Sequence, residues 1–452
     1  MQIIIVGCGK VGTALAAKLS VEDHNITIVD TDSNVVQMVA NTYDVQGIVG
    51  NGASYSILAE AGLEETDLII AVTESDEMNL LCCVIAKKAG RCQTIARVRD
   101  PIYIHERSFI KEELGLSMII NPEFAAAAEI SRLLCFPSAI EIDTFAKGRV
   151  EMLRLRIGEG CILDGVALKN ISSMLGCDVL VCAVERGSDV TIPSGDFILR
   201  EGDTLSMAAS HKNAAVFFKK IGLNTHQVKN TMIIGGGQIA VYLATFLQKM
   251  GIMVKIIEID EKRCETLCEL LPKAVVICAD GTDEEVLNEE RIEQMDSVVT
   301  LTGIDEENII LSLYAKTRVK VKSVTKINRL QLNDVIRSLD LDSVVYPKHL
   351  TAEMILQYVR ATQNSIGSNV ETLYKLVNDN VEALEFHIHK DSKVTNTSLQ
   401  DLKIRKDVLV ACISRNDKVI IPGGQDRILP GDSVIVVTTC SGLTDVEDIL
   451  HP

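Results

Sequence analysis

Short, wholly apolar runs alternate with helix-spaced apolar positions over the first 135 residues of the chain. The runs fall near Gln2–Val6, Ile26–Val29, Asp44–Ile48, Leu68–Ala71, Thr94–Arg97 and Met118–Ile120. Between them, Val11–Leu19, Val35–Asn41 and Met78–Ala89 carry their apolar residues at helical spacing. Pro122–Leu134 predicts a further helix, with Asn121-Pro122 as its start signal. Strands that are apolar throughout bury both faces, and their separation by helices implies a parallel, doubly wound sheet.

The texture then changes. Residues 141–209 and 382–440 contain alternating runs such as Met152-Leu153-Arg154-Leu155-Arg156-Ile157, with turn signals at Ser194-Gly195-Asp196 and Pro422-Gly423-Gly424. Each reads as a small β-rich domain of roughly 70 residues. Pro137-Ser138, Lys147-Gly148 and Gln363–Asn369 are the expected hinges, and residues 211–229 carry a short helix around Lys212–Ile221.

The chain also repeats itself. Ile3-Ile4-Ile5-Val6-Gly7-Cys8-Gly9-Lys10-Val11-Gly12 matches Thr231-Met232-Ile233-Ile234-Gly235-Gly236-Gly237-Gln238-Ile239-Ala240. Asp30 then meets Glu258, and Asn51-Gly52 meets Asp280-Gly281. Thr73-Glu74-Ser75-Asp76 meets Thr302-Gly303-Ile304-Asp305, and Glu201-Gly202-Asp203 meets Pro430-Gly431-Asp432. One register held over so many points means a tandem duplication. The expected architecture is α/β: two Rossmann-like parallel-sheet lobes (1–135 and 229–360), each followed by a small β-rich domain (141–222 and 372–452).

Composition narrows the function. Of 452 residues, 47% are apolar, 24% charged and 4% aromatic, with no Trp. An aromatic-lined channel for single-stranded nucleic acid is therefore disfavoured. The formal charge of −17 opposes a phosphate backbone, so nucleic acid is not expected as a partner. No apolar run approaches the ~20 residues of a membrane helix, and Met1-Gln2-Ile3-Ile4-Ile5 lacks the basic region of a secretory leader. The 13 cysteines include no Cys-x-x-Cys pair and read as reduced thiols of a cytosolic protein. Cys264 and Cys268 lie four apart on an expected helix.

Gly7-Cys8-Gly9-Lys10-Val11-Gly12 follows an apolar strand and opens a helix, which is the context a dinucleotide loop requires. Gly7 permits the turn, Gly9 leaves room for pyrophosphate, and Gly12 lets helix and strand approach. Free amides at the helix start then face the phosphates. Asp30, ending the second strand, can accept both ribose hydroxyls and would repel a 2′-phosphate, so NAD is favoured over NADP. Asn51-Gly52 sits where adenine edges are read, Thr73-Glu74 lies beside the phosphates, and Arg97 can reach one of them. In the second copy, Gly235, Gly236, Gly237, Gln238 and Ile239 form the loop, Glu258 replaces Asp30, and Asp280-Gly281 replaces Asn51-Gly52. Gly303 and Lys326 stand where the first copy has Glu74 and Arg97.

A nicotinamide hydride enzyme also needs a general acid or base over the ring. The histidines are scattered, and His387 and His389 alternate on an expected strand as a solvated face. Asp196, Glu201 and Asp203 read as solvated turn acids, with a cation site as the alternative. Two cofactor-like loops without catalytic groups suggest sensing. An NAD-dependent oxidoreductase or a stand-alone nucleotide-binding scaffold are the other readings; an assay of NADH consumption separates the first.

With these motifs, the chain resembles the TrkA family of tandem-RCK potassium-uptake subunits over essentially its whole length. The resemblance rests on Ile3–Gly12, Ile26–Asp30, Gly50-Asn51-Gly52-Ala53, Ala71–Asn79, Ile95–Val98 and the duplicated order of lobe then β domain. It implies NAD or NADH, and in some members ATP or ADP, bound to the lobes. It implies a non-enzymatic, cytoplasmic subunit, peripheral at the inner face of the membrane. A homotetrameric ring would gate a TrkH-type integral-membrane potassium-translocating subunit. Gly7 to Val11, Asp30, Thr73, Glu74 and Arg97 would line one site, and Gly235 to Ile239 with Glu258 the other.

Overall fold

In a computed structural model, the chain is described over residues 1–451 except 23, 91, 101, 104–105, 136–139, 146–149, 188, 223–227, 319–321, 329–334, 337–338, 340, 365–369, 377–379, 417, 441–442 and 444. The first lobe runs β1 (Gln2–Val6), α1 (Lys10–Leu19), β2 (Asn25–Asp30), α2 (Ser33–Tyr43), β3 (Gln46–Val49), α3 (Tyr55–Glu60), β4 (Leu68–Ala71), α4 (Asp76–Ala89), β5 (Gln93–Arg97), α5 (Arg107–Glu113), β6 (Met118–Ile120) and α6 (Pro122–Cys135). Its sheet is parallel, in the order β3-β2-β1-β4-β5-β6. The order reverses between β1 and β4, where the carboxyl ends of the strands leave a crevice. β3 starts later than the expected Asp44, because Asp44 takes a left-handed φ of 53° to end α2.

The first β-rich domain follows: β7 (Glu141–Phe145), β8 (Val150–Arg156), α7 (Ile171–Leu175), β9 (Val179–Arg186), β10 (Asp189–Thr191), β11 (Thr204–Ala209) and α8 (His211–Lys220). Its antiparallel sheet has the order β10-β9-β11-β8-β7. The second lobe repeats the first with β12 (Asn230–Ile234), α9 (Gln238–Lys249), β13 (Met253–Glu258), α10 (Glu261–Leu270), β14 (Val275–Cys278), α11 (Glu284–Glu289), β15 (Ser297–Thr300), α12 (Asp305–Arg318), β16 (Lys322–Lys326), β17 (Ser343–Val345) and α13 (Pro347–Asn364). Its sheet order, β14-β13-β12-β15-β16-β17, is that of the first lobe. The last domain holds β18 (Val370–Leu376), β19 (Val381–His387), β20 (Val408–Arg415), β21 (Lys418–Ile420) and β22 (Ser433–Thr438), ordered β18-β19-β22-β20-β21.

The expected hinges Pro137-Ser138 and Lys147-Gly148 lie outside the described residues, as do residues 365–369 of the third. Gln363 and Asn364 instead finish α13. The alternating run Met152–Ile157 falls on and just past β8 as expected, and its two faces join different cores. Val150 and Met152 face the sheet of the second β domain, against Val381, Ala383 and Ile435. Leu153 and Leu155 join a core that includes Phe217 of α8.

The two lobes exchange helices. α6, which ends the first lobe, packs on α9 of the second, with Phe124 edge-on to Tyr242 at 5.5 Å and to Phe246 at 5.2 Å. α13, which ends the second lobe, buries Ala352, Ile355, Leu356 and Val359 in the core of the first. Full burial of an Ile, Leu or Val side chain contributes about 1.5–3 kcal/mol, so this face and the α6–α9 contact both help to hold the lobes together. Ion pairs of Lys18 with Glu353 and Arg360 with Glu22 flank it.

Asp203 is neither the solvated turn acid expected nor open to a cation, and its counterpart Asp432 is buried in the same way. Each is 1% exposed and takes a bidentate guanidinium, Arg186 at 2.8 Å to both oxygens and Arg415 at 2.8 and 2.7 Å. Asp196 instead pairs with Lys169 at 2.7 Å. The hydrogen bond from Arg186 holds the Asp203 carboxyl below its ordinary range. This contribution is therefore present above the unfolded pKa, near ~4, and is lost as pH falls towards the lower folded value. Asp203→Asn is expected to cost about 2 kcal/mol at neutral pH and progressively less as acid protonates the native carboxyl. Thermal unfolding across pH checks this; equal stability at pH 7 would remove the lock from the turn.

Candidate functional site

The glycine loop of the first lobe forms because β1 must turn sharply into α1. Gly7 has φ +97°, and a Cβ there would meet Thr73 N at 2.8 Å. A Cβ on Gly12 would stand 1.9 Å from Gly7 O, so the third glycine is what lets α1 sit against the loop. A Cβ on Gly9 would meet nothing within 4 Å. Gly9 caps α1 without a side-chain acceptor, so the first amides of α1 have no intrahelical partner and point out of the loop. Asp30 anchors the arrangement: its Oδ2 accepts Cys8 N at 2.6 Å and its Oδ1 accepts Asp32 N at 3.0 Å. Burial, and then Asp30, push the Cys8 thiol up to about 12, so it stays protonated and apolar.

The second lobe reproduces this geometry. Gly235 has φ +101° and Gly237 has open space at its Cβ position. Glu258 Oε2 accepts Gly236 N at 2.6 Å and its Oε1 accepts Asp260 N at 2.9 Å. Arg263 Nε adds a bond to Gly236 O at 2.7 Å. In both lobes a buried asparagine ties two strands' ends together. Asn79 Oδ1 accepts Thr73 N at 2.8 Å while its Nδ2 donates to Arg97 O at 2.9 Å. Asn308 does the same for Thr302 N at 2.8 Å and Lys326 O at 3.1 Å.

The lobes face each other across a cavity of about 1070 Å³, which is large enough for a dinucleotide. Gly7, Cys8, Gly9, Lys10, Val11, Asp30, Asn51, Gly52, Thr73, Glu74 and Arg97 all line it. Gly12 is packed beneath the loop. From the second set the cavity takes in Gly237, Gln238 and Ile239; Gly235, Gly236, Glu258, Asp280 and Gly281 are not among its walls. The two loops therefore do not open as two copies of one pocket. The first contributes its whole length, and the second contributes its phosphate end.

At the junction of the lobes the polar groups are incompletely satisfied. Arg97 Nε, Glu123 Oε2 and Gln238 Nε2 are buried without a hydrogen-bond partner. Arg97 Nη2 stands 3.9 Å from Glu123 Oε1, an ion pair but not a hydrogen bond. Burial lowers the pKa of Arg97, with Glu123 opposing that shift, and burial lowers that of Lys326. Lys326 Nζ donates to Leu301 O at 3.1 Å, and Lys348 Nζ to Asn328 O at 2.6 Å. Buried groups left open in this way cost about 1–3 kcal/mol each unless a ligand meets them. An anionic ligand would compensate the cations and the amide, and the free-amide cradles at Gly9 and Gly237 fit phosphates.

Glu123, Arg99, Lys348 and Asn328 were not among the sequence-derived candidates, yet they line the same cavity. Only Glu123 had a signal, its place directly after Asn121-Pro122. His387 and His389 sit with ring centroids 4.5 Å apart at the end of β19, and among the described residues no cluster of His, Cys, Asp or Glu is placed to hold a metal.

Two family profiles match the chain twice each: the TrkA-N domain at residues 3–122 and 231–347, and the TrkA-C domain at 152–222 and 383–451. A protein of Archaeoglobus fulgidus described as "Trk system potassium uptake protein TrkA homolog" is 31% identical over 452 residues, covering 100% of both chains. A solved structure described as "GsuK channel bound to NAD" aligns with a TM-score of 0.64 at 17% identity, over 97% of this chain and 76% of that one. Another, "Crystal structure of the GsuK bound to ADP", gives 0.52 at 14% identity, over 80% of this chain and 69% of that one. At such identities the likeness is one of fold. No helix among the described residues is long and apolar enough to cross a membrane.

Proposed function

The chain belongs to the TrkA family, and from that premise we propose that it is the nucleotide-sensing regulatory subunit of a Trk-type potassium-uptake system. The observation that carries this reading is the set of unsatisfied groups at the lobe junction: Arg97 from the first lobe, Glu123 from its exchanged helix and Gln238 from the second. A nucleotide held by the Gly7–Gly12 amides, with its ribose on Asp30 and adenine beside Asn51-Gly52, would carry its phosphates towards the donors Arg97 and Gln238, while Glu123 would accept from a hydroxyl or amide of the ligand. NAD or NADH is the first ligand to test, because Asp30 disfavours a 2′-phosphate; ATP and ADP share the same adenosine and phosphate chemistry. Glu258, Asp280 and Gly281 would hold a second adenosine on the other lobe.

The ligand acts as an effector. A nucleotide that touches both lobes favours one lobe arrangement over another, and that bias is what can be transmitted. Moving a two-state gate from 1:99 to 99:1 requires ~5.5 kcal/mol of differential binding. Over about eight sites in a homotetrameric ring this is ~0.7 kcal/mol per site, the worth of one hydrogen bond. The receiver is a TrkH-type integral-membrane potassium-translocating subunit, with the ring at its cytoplasmic face.

Calorimetric titration with NAD, NADH, ATP and ADP tests the reading, with light scattering to follow assembly. Asp30→Asn is expected to weaken NAD about tenfold, or 1–2 kcal/mol, with the fold intact. Unchanged affinity would reject the ribose role of Asp30.

A further inference from the structure

We propose that Cys264 and Cys278, at the open edge of the second lobe's sheet, form a reversible dithiol–disulfide pair that reacts with small-molecule disulfides. Two observations converge on Glu258. Cys278 is its register partner on the neighbouring strand β14. Cys264, in the first turns of α10, places its Sγ 3.3 Å from the Glu258 carbonyl, which brings it beside Cys278 across the β13–β14 pair. Cys268 lies one turn further along α10. β14 is the edge strand, and Cys278 and Cys268 are exposed while Cys264 is buried. At the equivalent places the first lobe has Val36, Ala40 and Val49, so nothing in this fold requires sulfur here.

The chemistry follows from the exposure of each thiol. The Cys278 thiolate attacks one sulfur of the reagent disulfide, forms a mixed disulfide and releases one small thiol. Burial holds the Cys264 thiol up at about 12, so it is the slower, resolving partner. Its thiolate attacks the Cys278 sulfur and expels the second small thiol. The protein loses two electrons and two protons, and the reagent disulfide gains them as two thiols. Both cysteines are neighbours of Glu258, so a side-chain rotation has to bring the two sulfurs to a bond of about 2.05 Å. The product draws the Cys264 sulfur off the Glu258 carbonyl and clamps α10 to β14 across the strand that carries the ribose acid. This inference is independent of whether a nucleotide binds.

The test uses the full, reduced chain, incubated with oxidised glutathione, quenched by alkylation and mapped by peptide mass spectrometry. The expected product is a Cys264–Cys278 linked peptide that dithiothreitol reverses. Cys268→Ser should leave that link intact. Cys264→Val, which installs the residue of the first copy, should leave glutathione stranded on Cys278. Stable glutathione on Cys278 of the unsubstituted chain, a link through Cys268, or an unreacted Cys278 would each overturn the proposal.

Discussion

A Gly12→Ala chain is expected to lose about 3 kcal/mol of stability and most of the nucleotide affinity of its first lobe. The added Cβ would lie 1.9 Å from Gly7 O, a backbone atom that cannot swing aside. α1 would have to retreat from the loop, and the amides that face the phosphates would retreat with it. The second copy sharpens the expectation. Ala240 occupies the matching place, fully buried, with Gly236 and Gly237 beside it. There the loop is already set for a methyl group, so Ala240→Gly should cost only ~1 kcal/mol, mainly helix propensity. Denaturant unfolding and NAD titration of both variants check this asymmetry; equal costs would mean that the first loop accommodates a methyl group as readily as the second.

The second large effect belongs to Arg97. Its side chain is partly buried, lines the cavity and has a buried, unsatisfied Nε. A charge-assisted bond to phosphate in such a place contributes about 2 kcal/mol. Arg97→Met, which keeps most of the volume, is therefore expected to weaken NAD roughly 30-fold. Gln238 makes the more particular test, because it lies on the second lobe. Gln238→Leu should weaken a nucleotide seated on the first lobe by about three- to fivefold, the worth of one neutral hydrogen bond. Calorimetry on both variants measures these changes. An unaltered affinity in Gln238→Leu would confine the ligand to a single lobe.

Much of the fold was legible because burial leaves a plain signature. Ile3-Ile4-Ile5-Val6 and Leu68-Ile69-Ile70-Ala71 are apolar at every position, and β1 and β4 are the central pair of the sheet. The duplication was legible from matched glycines and acids, and those residues do adopt matched conformations at Gly7 and Gly235. The exchange of helices was not legible. The apolar stripe of α13, with Ile355, Leu356 and Val359, reads as any amphipathic helix, and nothing within it specifies which lobe it will cover. That gap also hid half of the site. Arg97 and Gln238 were found from their places at a strand end and a glycine loop, but Gln238 shares the cavity of Arg97 and Glu123 only because α6 crosses to the second lobe. Asp203 was misread because its partner Arg186 lies 17 residues away, in a pairing that only the antiparallel sheet creates.

The central claim is that one nucleotide, seated on the first glycine loop, touches both lobes. A crystal structure of the chain grown with NAD tests it most directly. The expected density places adenosine against Asp30 and phosphate within hydrogen-bond reach of Arg97 and of a group on the second lobe. Density confined to the second lobe, or both loops empty with side chains filling the cavity, would contradict it.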